Sequence, residues 1–563
     1  MAASFGSALV PIATPLNQIN DKKSNKSRQT RLIMKIPTIR IEQHYDNREV
    51  KCFAERPANL DAMFRATVAR VPDALALIAD AERFSYRELD QRIDIVVTQL
   101  QQRGIGHGDR VALLIGNRPI FVFALMAILR IGAICVPMNT RQRQPEIAFM
   151  AAQSGACAVL FDEACVAELP QQTDAVSVHT WFRADAQSNL QLDSRSATAP
   201  QQIVQRAIHE EDPCCIIYTS GTTGKPKGAT LTHFGLIHST LHYEYGLQLH
   251  ADDVAMLAVP ATHVTGLVAI IFAMMRVGGR TVMIENFHVR VFLELAAREK
   301  MTYTLVVPAI YNLVLLQPDF AQFDLSAWRL GGFGGAPMPV TTIERLAEAL
   351  PNLVLANVYG ATETSGPTTI LPLGEALRRR DTIGKIVPCG DVRVCDEQGN
   401  EVAPGAAGEF RICGPMVVPS YWENPTANAS SFTDGYWHSG DIGSIDADGW
   451  VRIFDRKKDM VNRGGYKIYC SEVENVLCRH ESVIECAIIG RPDTVLGERV
   501  HAFIVAKTKN ISVEELRAYC ATNLSDYKVP ETIDFIDALP RNAAGKVVKQ
   551  QLREMLAASS LNR

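Results

Sequence analysis

The chain has 563 residues, of which 47% are hydrophobic and 21% are charged, and these values exclude a wholly disordered protein. Its 57 basic and 61 acidic residues leave a formal net charge of −4, which argues against nucleic acid as a partner. This length predicts about two to four domains, with enough sequence to bury a core without disulfides or metal ions.

The 13 cysteines are scattered, and no two of them have the C-x-x-C spacing. They fit neither a zinc ribbon nor an iron–sulfur cluster, which predicts buried, reduced thiols in a cytoplasmic protein. The longest apolar runs, Ile120–Leu129 and Val264–Met275, end at arginines and are too short to span a bilayer. They predict buried helices, and peripheral membrane contact stays open.

Residues 1–55 differ in composition from the rest of the chain. The first forty carry seven basic side chains against one acidic side chain, and Ser, Asn and Gln are frequent. Such a leader suits an organellar transit peptide. However, no clear amphipathic, Arg-bearing helix precedes Met34, which favours a flexible extension. We therefore expect folded structure to begin near Asn59, and residues 1–50 to be dispensable.

Apolar periodicity predicts the elements that follow. Helical spacing begins at Leu60 and continues to Val71. Ser85 to Glu88 is a capping box that opens a second amphipathic helix. Near-continuous apolar strands then alternate with helices, which predicts sheets covered on both faces and an α/β fold. The predicted strands are Val111–Ile115, Ala158–Phe161, Cys214–Tyr218, Val254–Val259, Thr281–Ile284 and Thr304–Val307.

The last third of the chain has a different pattern. From about Gly384 to Phe454, Gly, Asp and short β-like runs predict a small β-rich subdomain. After Asp455 the pattern predicts a compact α+β unit of about a hundred residues, plausible as a separate domain. Capping boxes at Ser471–Glu474 and Ser512–Glu515 open its helices. Its predicted strands are Val483–Ile489, Ala502–Val505 and Ile533–Ile536.

One loop carries the strongest functional signal. Between Tyr218 and Gly228 it combines three glycines, four Ser or Thr hydroxyls and two lysines. Glycines let backbone N–H groups wrap an anion closely, and the other side chains add donors and positive charge. The loop therefore suits a polyphosphate. It is not the Walker pattern, because Pro226 follows Lys225 where Ser or Thr is required.

This loop resembles the phosphate-binding signature of the adenylate-forming superfamily, which comprises acyl-CoA synthetases, firefly-type luciferases and peptide-synthetase adenylation domains. Further motifs of that superfamily follow in the expected order at Tyr359–Glu363, Tyr436–Asp441 and Pro540–Lys546. The resemblance implies a large AMP-binding domain at 56–454 and a small mobile C-terminal domain at 455–563.

The resemblance also implies a reaction in two steps. A carboxylate attacks the α-phosphate of Mg-ATP and forms an acyl-adenylate, and CoA then displaces AMP. ATP, Mg²⁺ and CoA are the implied cofactors and co-substrates. A hinge at Asp455 is implied to let two segments of the small domain serve one active site in turn.

Four residues are implied to act in catalysis or to bind the metal ion. The Lys546 ammonium would neutralise the charge between the carboxylate and the α-phosphate, which Thr362 also contacts. His263 would border the acyl pocket and gate thiol access. Glu363 would hold Mg²⁺, because a hard cation prefers oxygen ligands. The residues implied to bind nucleotide or CoA are Thr219, Ser220, Gly221, Thr222, Thr223, Gly224, Lys225, Gly334, Gly335, Ala336, Tyr359, Asp441, Arg456, Gly464 and Gly465.

Within that set, the chemistry of each side chain suits its implied partner. The Tyr359 ring offers an aromatic face to adenine, and the two oxygens of Asp441 can accept both ribose hydroxyls. Arg456 would contact ribose or phosphate. Gly464 and Gly465 permit close approach of the backbone to the pantetheine arm of CoA.

The segment around His263 bears on the acid that is activated. Thr262, Val264, Thr265 and Leu267 predict an apolar wall with two hydroxyls and no adjacent carboxylate, which suits an uncharged acyl chain. The sequence therefore favours a medium- or long-chain fatty acid–CoA ligase. An aryl or other carboxylic-acid ligase, a ligase that loads a carrier protein, and a luciferase-like or inactive relative are the alternatives, and a homodimer stays open.

Overall fold

The structure is a computed structural model that describes residues 36–45, 47–171, 177–197, 206–219, 226–507, 511–542 and 546–561, with the backbone alone at 559–561. Among the helices in these ranges, none is both long enough and apolar enough to cross a bilayer.

The first described element is an antiparallel hairpin of β1 (Ile39–His44) and β2 (Arg48–Phe53). Val50, Cys52 and Phe53 are buried. The prediction that folded structure begins near Asn59 is therefore wrong for this hairpin.

Charged contacts fix the hairpin to the rest of the protein. The Arg56 guanidinium binds both Glu42 of β1 and Glu210, at 2.8 Å each. His44 contacts the carboxylate of Glu211 at 2.6 Å. Glu210 and Glu211 lie more than 150 positions from the residues they bind, so local composition could not predict these contacts.

The elements that follow the hairpin are α1 (Leu60–Arg70), β3 (Leu75–Ala79), β4 (Glu82–Ser85), α2 (Tyr86–Gln101), β5 (Arg110–Leu114), α3 (Pro119–Arg130), β6 (Ile134–Pro137), α4 (Gln144–Ser154), β7 (Ala158–Asp162), β8 (Thr180–Ala184), β9 (Leu190–Leu192), β10 (Pro213–Thr219), β11 (Lys227–Thr232) and α5 (His233–Gly246). Seven of these strands form the first sheet, in the order β11-β10-β6-β5-β7-β8-β9, with a parallel centre and antiparallel edges.

The capping box predicted at the start of α2 is confirmed. Glu88 N–H donates to Ser85 Oγ at 3.2 Å, and Ser85 N–H donates to the Glu88 carboxylate at 2.8 Å.

The next elements are β12 (Val254–Leu257), α6 (Ala273–Val277), β13 (Arg280–Met283), α7 (Val289–Arg298), β14 (Tyr303–Val306), α8 (Pro308–Leu315), β15 (Leu330–Phe333), α9 (Val340–Ala349), β16 (Val354–Ala361), β17 (Gly366–Ile370) and β18 (Lys385–Ile386). With β3 and β4, their strands form a second sheet of nine strands, in the order β18-β17-β16-β15-β14-β12-β13-β3-β4. Between β12 and α6, the run Thr265–Phe272 forms a π-helix that is buried from Gly266 onward.

Helix α3 packs between these two sheets. Its residues from Pro119 to Leu129 are all buried, and Phe123 meets Phe84 of β4 edge to face at 5.3 Å. The predictions of buried helices at Ile120–Leu129 and Val264–Met275 are thus confirmed, and the α/β fold with covered sheets is confirmed with them.

A β-rich section follows, as predicted. Its strands form an antiparallel sheet in the order β19-β20-β22-β21, and β23 pairs with β22. Asp455, the predicted hinge, lies inside β23 opposite Ile442. The elements are β19 (Asp391–Cys395), β20 (Gly408–Cys413), α10 (Pro425–Ser431), β21 (Phe432–Thr433), β22 (Tyr436–Ile445) and β23 (Val451–Arg456).

The C-terminal section is an α+β unit with its own sheet, in the order β25-β24-β27-β26, with β28 on β27. Its elements are β24 (Val461–Arg463), β25 (Tyr466–Ile468), α11 (Cys470–Leu477), β26 (Val483–Asp493), β27 (Gly497–Ala506), α12 (Val513–Asn523), β28 (Thr532–Phe535) and α13 (Lys549–Leu561).

Of the two capping boxes predicted in this section, one is wrong and the other is formed only in its N-cap half. Ser512 does cap α12, because its Oγ accepts from Glu515 N–H at 3.1 Å. Ser471 instead lies within α11, and its hydroxyl donates to the carbonyl of Phe454. The Asp455 carboxylate accepts from Cys470 N–H at the start of that helix, so a carboxylate from β23 replaces the local cap.

Candidate active site

The predicted phosphate loop joins β11, the edge strand of the first sheet, to its neighbour β10. Thr219 ends β10 and pairs with Lys227, which begins β11. Ser220, Gly221, Thr222, Thr223, Gly224 and Lys225 lie outside the described residues. The Thr219 hydroxyl donates to Glu363 Oε1 at 3.2 Å, so the start of the loop contacts the predicted metal ligand.

Glu363 is held by a turn at the end of β16. The short 3₁₀ turn Thr362–Thr364 follows Ala361, and Glu363 is 8% exposed. Its Oε1 also accepts from the Tyr421 hydroxyl at 3.0 Å. Burial and the Glu363 charge together raise the pKa of Tyr421. The site thus offers a buried carboxylate with both of these bonds on one oxygen, and such a hard ligand fits Mg²⁺.

Tyr359 and Asp441 are in direct contact. The Tyr359 hydroxyl donates to Asp441 Oδ2 at 2.6 Å. Oδ1 of Asp441 forms an ion pair with Arg456 Nε at 3.0 Å, because β22 and β23 place these two residues opposite each other. Asp441 is 2% exposed. Its negative charge raises the pKa of Arg456 and, with burial, that of Tyr359.

The loop after β15 contains the predicted adenine-contacting residues. A β-carbon built on Gly334 would lie 2.3 Å from the carbonyl oxygen of Val358 on β16, so no side chain fits there. Gly335 has a φ of +75°, and Ala336 is exposed. The loop therefore presents backbone rather than side chains next to Tyr359.

Lys546 of the C-terminal section extends to this loop. Its Cε lies 3.2 Å from the position that a β-carbon would take on Gly335. The pKa of Lys546 is lowered, first by loss of water around the ammonium and then by the charge of Arg456, while Asp441 and Glu363 oppose the shift. Four predicted site residues from four segments are thus brought together around one ammonium group.

His263 belongs to the same neighbourhood. Burial, and then the charge of Lys546, lower its pKa to about 4, so the imidazole is neutral at pH 7. Its Nε2 has no hydrogen-bond partner among the described residues, and neither does the buried Thr262 Oγ1 beside it. Two buried polar atoms without a hydrogen-bond partner among the described residues thus lie just before the apolar helix that begins at Thr265, and the His263 ring is close enough to Lys546 to be affected by its charge.

The predicted CoA segment is elsewhere. Gly464 and Gly465, with φ of +58° and +90°, form the turn between β24 and β25. Gly464 N–H donates to Leu496 at 2.7 Å. In the following strand, Lys467 pairs with Glu397 at 2.6 Å. The contacts of this turn and of the strand after it thus lead to Leu496 and Glu397, whereas Lys546 is the residue that contacts the cluster.

Sequence reasoning missed Tyr421 as a partner of Glu363. It lies 58 positions from that residue, outside every motif, and its only local signal is that, with Trp422, it forms an aromatic pair after a proline-containing stretch. Trp437 Nε1 donates to the same hydroxyl at 3.4 Å. This small network fixes the Glu363 carboxylate.

Comparison with known proteins identifies the family. Residues 64–422 match the AMP-binding enzyme family model, and residues 472–546 match the model of the AMP-binding enzyme C-terminal domain. The chain belongs to this family. It is therefore an ATP-dependent acyl-CoA ligase of the adenylate-forming superfamily, with ATP, Mg²⁺ and CoA as predicted.

Relatives with different substrates are equally similar to this ligase. A feruloyl-CoA synthase of Amycolatopsis is 33% identical over 86% of this chain and 96% of its own. A long-chain-fatty-acid–CoA ligase of Mycobacterium tuberculosis is 33% identical over 88% of this chain and 97% of its own. An anthranilate CoA ligase structure shares the fold with a TM-score of 0.82, at 24% identity over 90% of this chain and 99% of its own.

Proposed function

We propose that this ligase activates a medium- or long-chain fatty acid as acyl-AMP and transfers the acyl group to CoA. The observation that carries the proposal is the surroundings of His263. A neutral imidazole is followed by the π-helix Thr265–Phe272, whose residues from Gly266 onward are buried and whose sequence contains no ionisable side chain. Such a wall suits an uncharged chain rather than an amino acid, whose ammonium would need a carboxylate partner.

In the first half-reaction, the acid's carboxylate attacks the α-phosphate of ATP and pyrophosphate leaves. We assign to Lys546 the neutralisation of the two negative groups as they approach. Its proximity to Glu363, Asp441 and Arg456 supports this role. Thr362 would donate to the α-phosphate, Glu363 would hold Mg²⁺ and Asp441 would accept from the ribose.

In the second half-reaction, the CoA thiol attacks the acyl carbonyl and AMP leaves. We assign to the Gly464–Gly465 turn the backbone surface along which the thiol approaches. For this step Lys546 leaves the active site and the turn takes its place, and we assign this exchange to rotation of the C-terminal domain at Asp455. The boundary between 56–454 and 455–563 is proposed on the same ground. That only one of the two segments contacts the cluster supports an exchange, because both cannot occupy the same space.

An aryl acid is the second candidate, and the feruloyl-CoA synthase relative favours it. The test is pyrophosphate release by the purified protein over saturated fatty acids of increasing length, ferulate and anthranilate, each with and without CoA. We expect faster release with medium or long fatty acids than with either aryl acid, and thioester only with CoA. Preference for ferulate would replace the proposal with the aryl alternative.

A further inference from the structure

Two cysteines of the C-terminal section lie side by side. Cys478 follows directly after α11, and Cys486 lies on β26. Their Sγ atoms are 3.6 Å apart, in van der Waals contact. Both residues are half-buried, so part of each lies at the protein surface.

This pair differs from the other thiols of the protein. Ten of the 13 cysteines are buried, and Cys157 is the remaining half-buried one. Cys135 and Cys215 are neighbours on paired strands, but both have no exposed surface. Partial exposure and contact with a second thiol therefore coincide only at Cys478 and Cys486.

The pair lies against the anchor of the Lys546 segment. Glu474, one turn before Cys478 in α11, accepts from Ile488 N–H of β26 at 2.9 Å and pairs with Lys549 Nζ at 2.8 Å. Its carbonyl accepts from the Cys486 thiol at 3.5 Å. Lys549 begins α13, three positions after Lys546. The junction of α11 and β26 thus holds the helix that follows the lysine.

We propose that Cys478 and Cys486 are a modification site, at which a peroxide or a low-molecular-weight disulfide forms a reversible intramolecular disulfide that slows adenylation. With hydrogen peroxide, one thiol becomes a sulfenic acid and releases water. The second thiol then displaces a second water as the S–S bond forms. The peroxide takes up the two electrons that the thiols lose. With a disulfide reagent, two thiol–disulfide exchanges release two reagent thiols instead.

The effect on adenylation follows from the movement that the bond requires. A disulfide has an S–S distance of about 2.0 Å, so the two sulfurs must come closer and the end of α11 moves relative to β26. The thiol donor to the Glu474 carbonyl is also lost. Glu474 and Lys549 then shift, and Lys546 with them. This consequence rests on the role proposed for Lys546, whereas formation of the bond does not.

Peptide mapping tests the bond. The reduced, full-length protein is treated with hydrogen peroxide or oxidised glutathione, free thiols are alkylated, and the protein is digested with trypsin. Cleavage after Arg479 separates the cysteines, so the disulfide joins a peptide that ends at Arg479 to one that begins at His480. We expect this linked pair in the parent and in Cys157→Ser, and not in Cys478→Ser. Its absence from the oxidised parent would overturn the proposal.

The same samples test the effect on rate. Pyrophosphate release should be several-fold slower after oxidation and should recover with dithiothreitol, while Cys478→Ser and Cys486→Ser should keep their rates in oxidant. A linked parent with an unchanged rate, or equal loss in the serine variants, would contradict the proposed effect. If the reduced parent released no pyrophosphate with any acid, the proposed function would fail while the mapping result stood.

Discussion

Lys546 lies over Gly335, with its Cε 3.2 Å from the place that a β-carbon would occupy on the glycine. The two residues are 211 positions apart (546 − 335), in different sections of the chain. Gly335 belongs to the loop next to Tyr359, so the lysine is held where adenylation would need it. We infer that this arrangement corresponds to the first half-reaction.

Lys546→Ala is expected to lower the rate of adenylation by about 10²–10³-fold, the effect of removing one well-placed donor to transition-state charge. Attack of CoA on supplied acyl-adenylate should be largely retained, because the ammonium is needed only while the carboxylate approaches the phosphate. Single-turnover pyrophosphate release and thioester formation measure the two steps separately. Lys458→Ala, which removes an exposed lysine, is the matched control. Equal losses in both steps would contradict the assigned role.

Glu363→Gln should raise the Mg²⁺ concentration needed for turnover more than it weakens nucleotide binding. The amide oxygen can still accept from Thr219 and Tyr421, but it lacks the charge that a hard cation prefers. A Mg²⁺ titration of the turnover rate measures the effect. Tyr421→Phe removes one of these bonds and keeps the charge, so its Mg²⁺ requirement should change less. An unaltered requirement in Glu363→Gln would exclude the residue as a ligand.

Asp455→Pro should retain adenylation and lose thioester formation. Proline confines φ to about −65°, whereas a hinge residue must absorb a large change in φ and ψ. Asp455→Ala is the control, because it removes the side-chain bonds to Arg456 and Cys470 without fixing φ. The two half-reactions are assayed separately in folded variants. Parent rates in both steps for the proline variant would mean that rotation at this residue is not required.

Deletion of residues 1–50 is expected to lower the midpoint of thermal unfolding by several degrees. It removes β1 and with it Glu42, one of the two carboxylates that bind the largely buried Arg56. Because Glu210 remains, the loss should be smaller than the roughly 3 kcal/mol of leaving a buried charge unpaired. This expectation replaces the sequence-based one that the segment is dispensable. Deletion of residues 1–35 leaves the hairpin intact and is the control. Identical unfolding curves for the two deletions would show that the hairpin adds nothing to stability.

Stability should fall as the pH is lowered from about 6.5 towards 4. Burial lowers the pKa of His233 and His238 on α5 to about 4 in the folded protein. His238 Nε2 accepts from Phe53 N–H at 3.3 Å, which requires the neutral ring. Because the unfolded chain takes up protons first, each histidine removes up to about 1.4 kcal/mol per pH unit in this window.

Urea unfolding at pH 7 and pH 5 measures this loss. A His238→Gln variant, which keeps an acceptor but does not titrate there, should lose less stability on acidification than the parent. Equal losses in parent and variant would mean that His238 is not one of the groups responsible.

The local elements were the most predictable from sequence. The Ser85–Glu88 cap depends on residues three positions apart, and the pattern alone was sufficient. At Ser471 the same pattern failed, because Asp455 of β23 binds the start of α11. A tertiary contact there replaces the local cap, and a short sequence window does not contain that contact.

The hairpin β1–β2 shows the same limit for a whole element. Val50 and Cys52 alternate with charged residues, which is the pattern of a half-buried strand, but the basic composition of the leader hid it. For the site, the contact of Thr219 with Glu363 joins residues 144 positions apart. Their spacing did not predict this contact, and only the family resemblance assigned both residues to one nucleotide site. For Tyr421, neither its spacing nor the family resemblance predicted a place in the site.

The bond between Tyr359 and Asp441 has a consequence for how nucleotide affinity is distributed. Oδ2 of Asp441 accepts from the Tyr359 hydroxyl, whereas Oδ1 forms an ion pair with Arg456 but accepts no hydrogen bond from the described residues. A ribose hydroxyl that bonds Oδ2 must therefore exchange with a phenol or share its oxygen, and it gains only the difference between two hydrogen bonds. A hydroxyl that bonds Oδ1 meets no such competitor, so the two sugar hydroxyls would contribute unequally to nucleotide affinity.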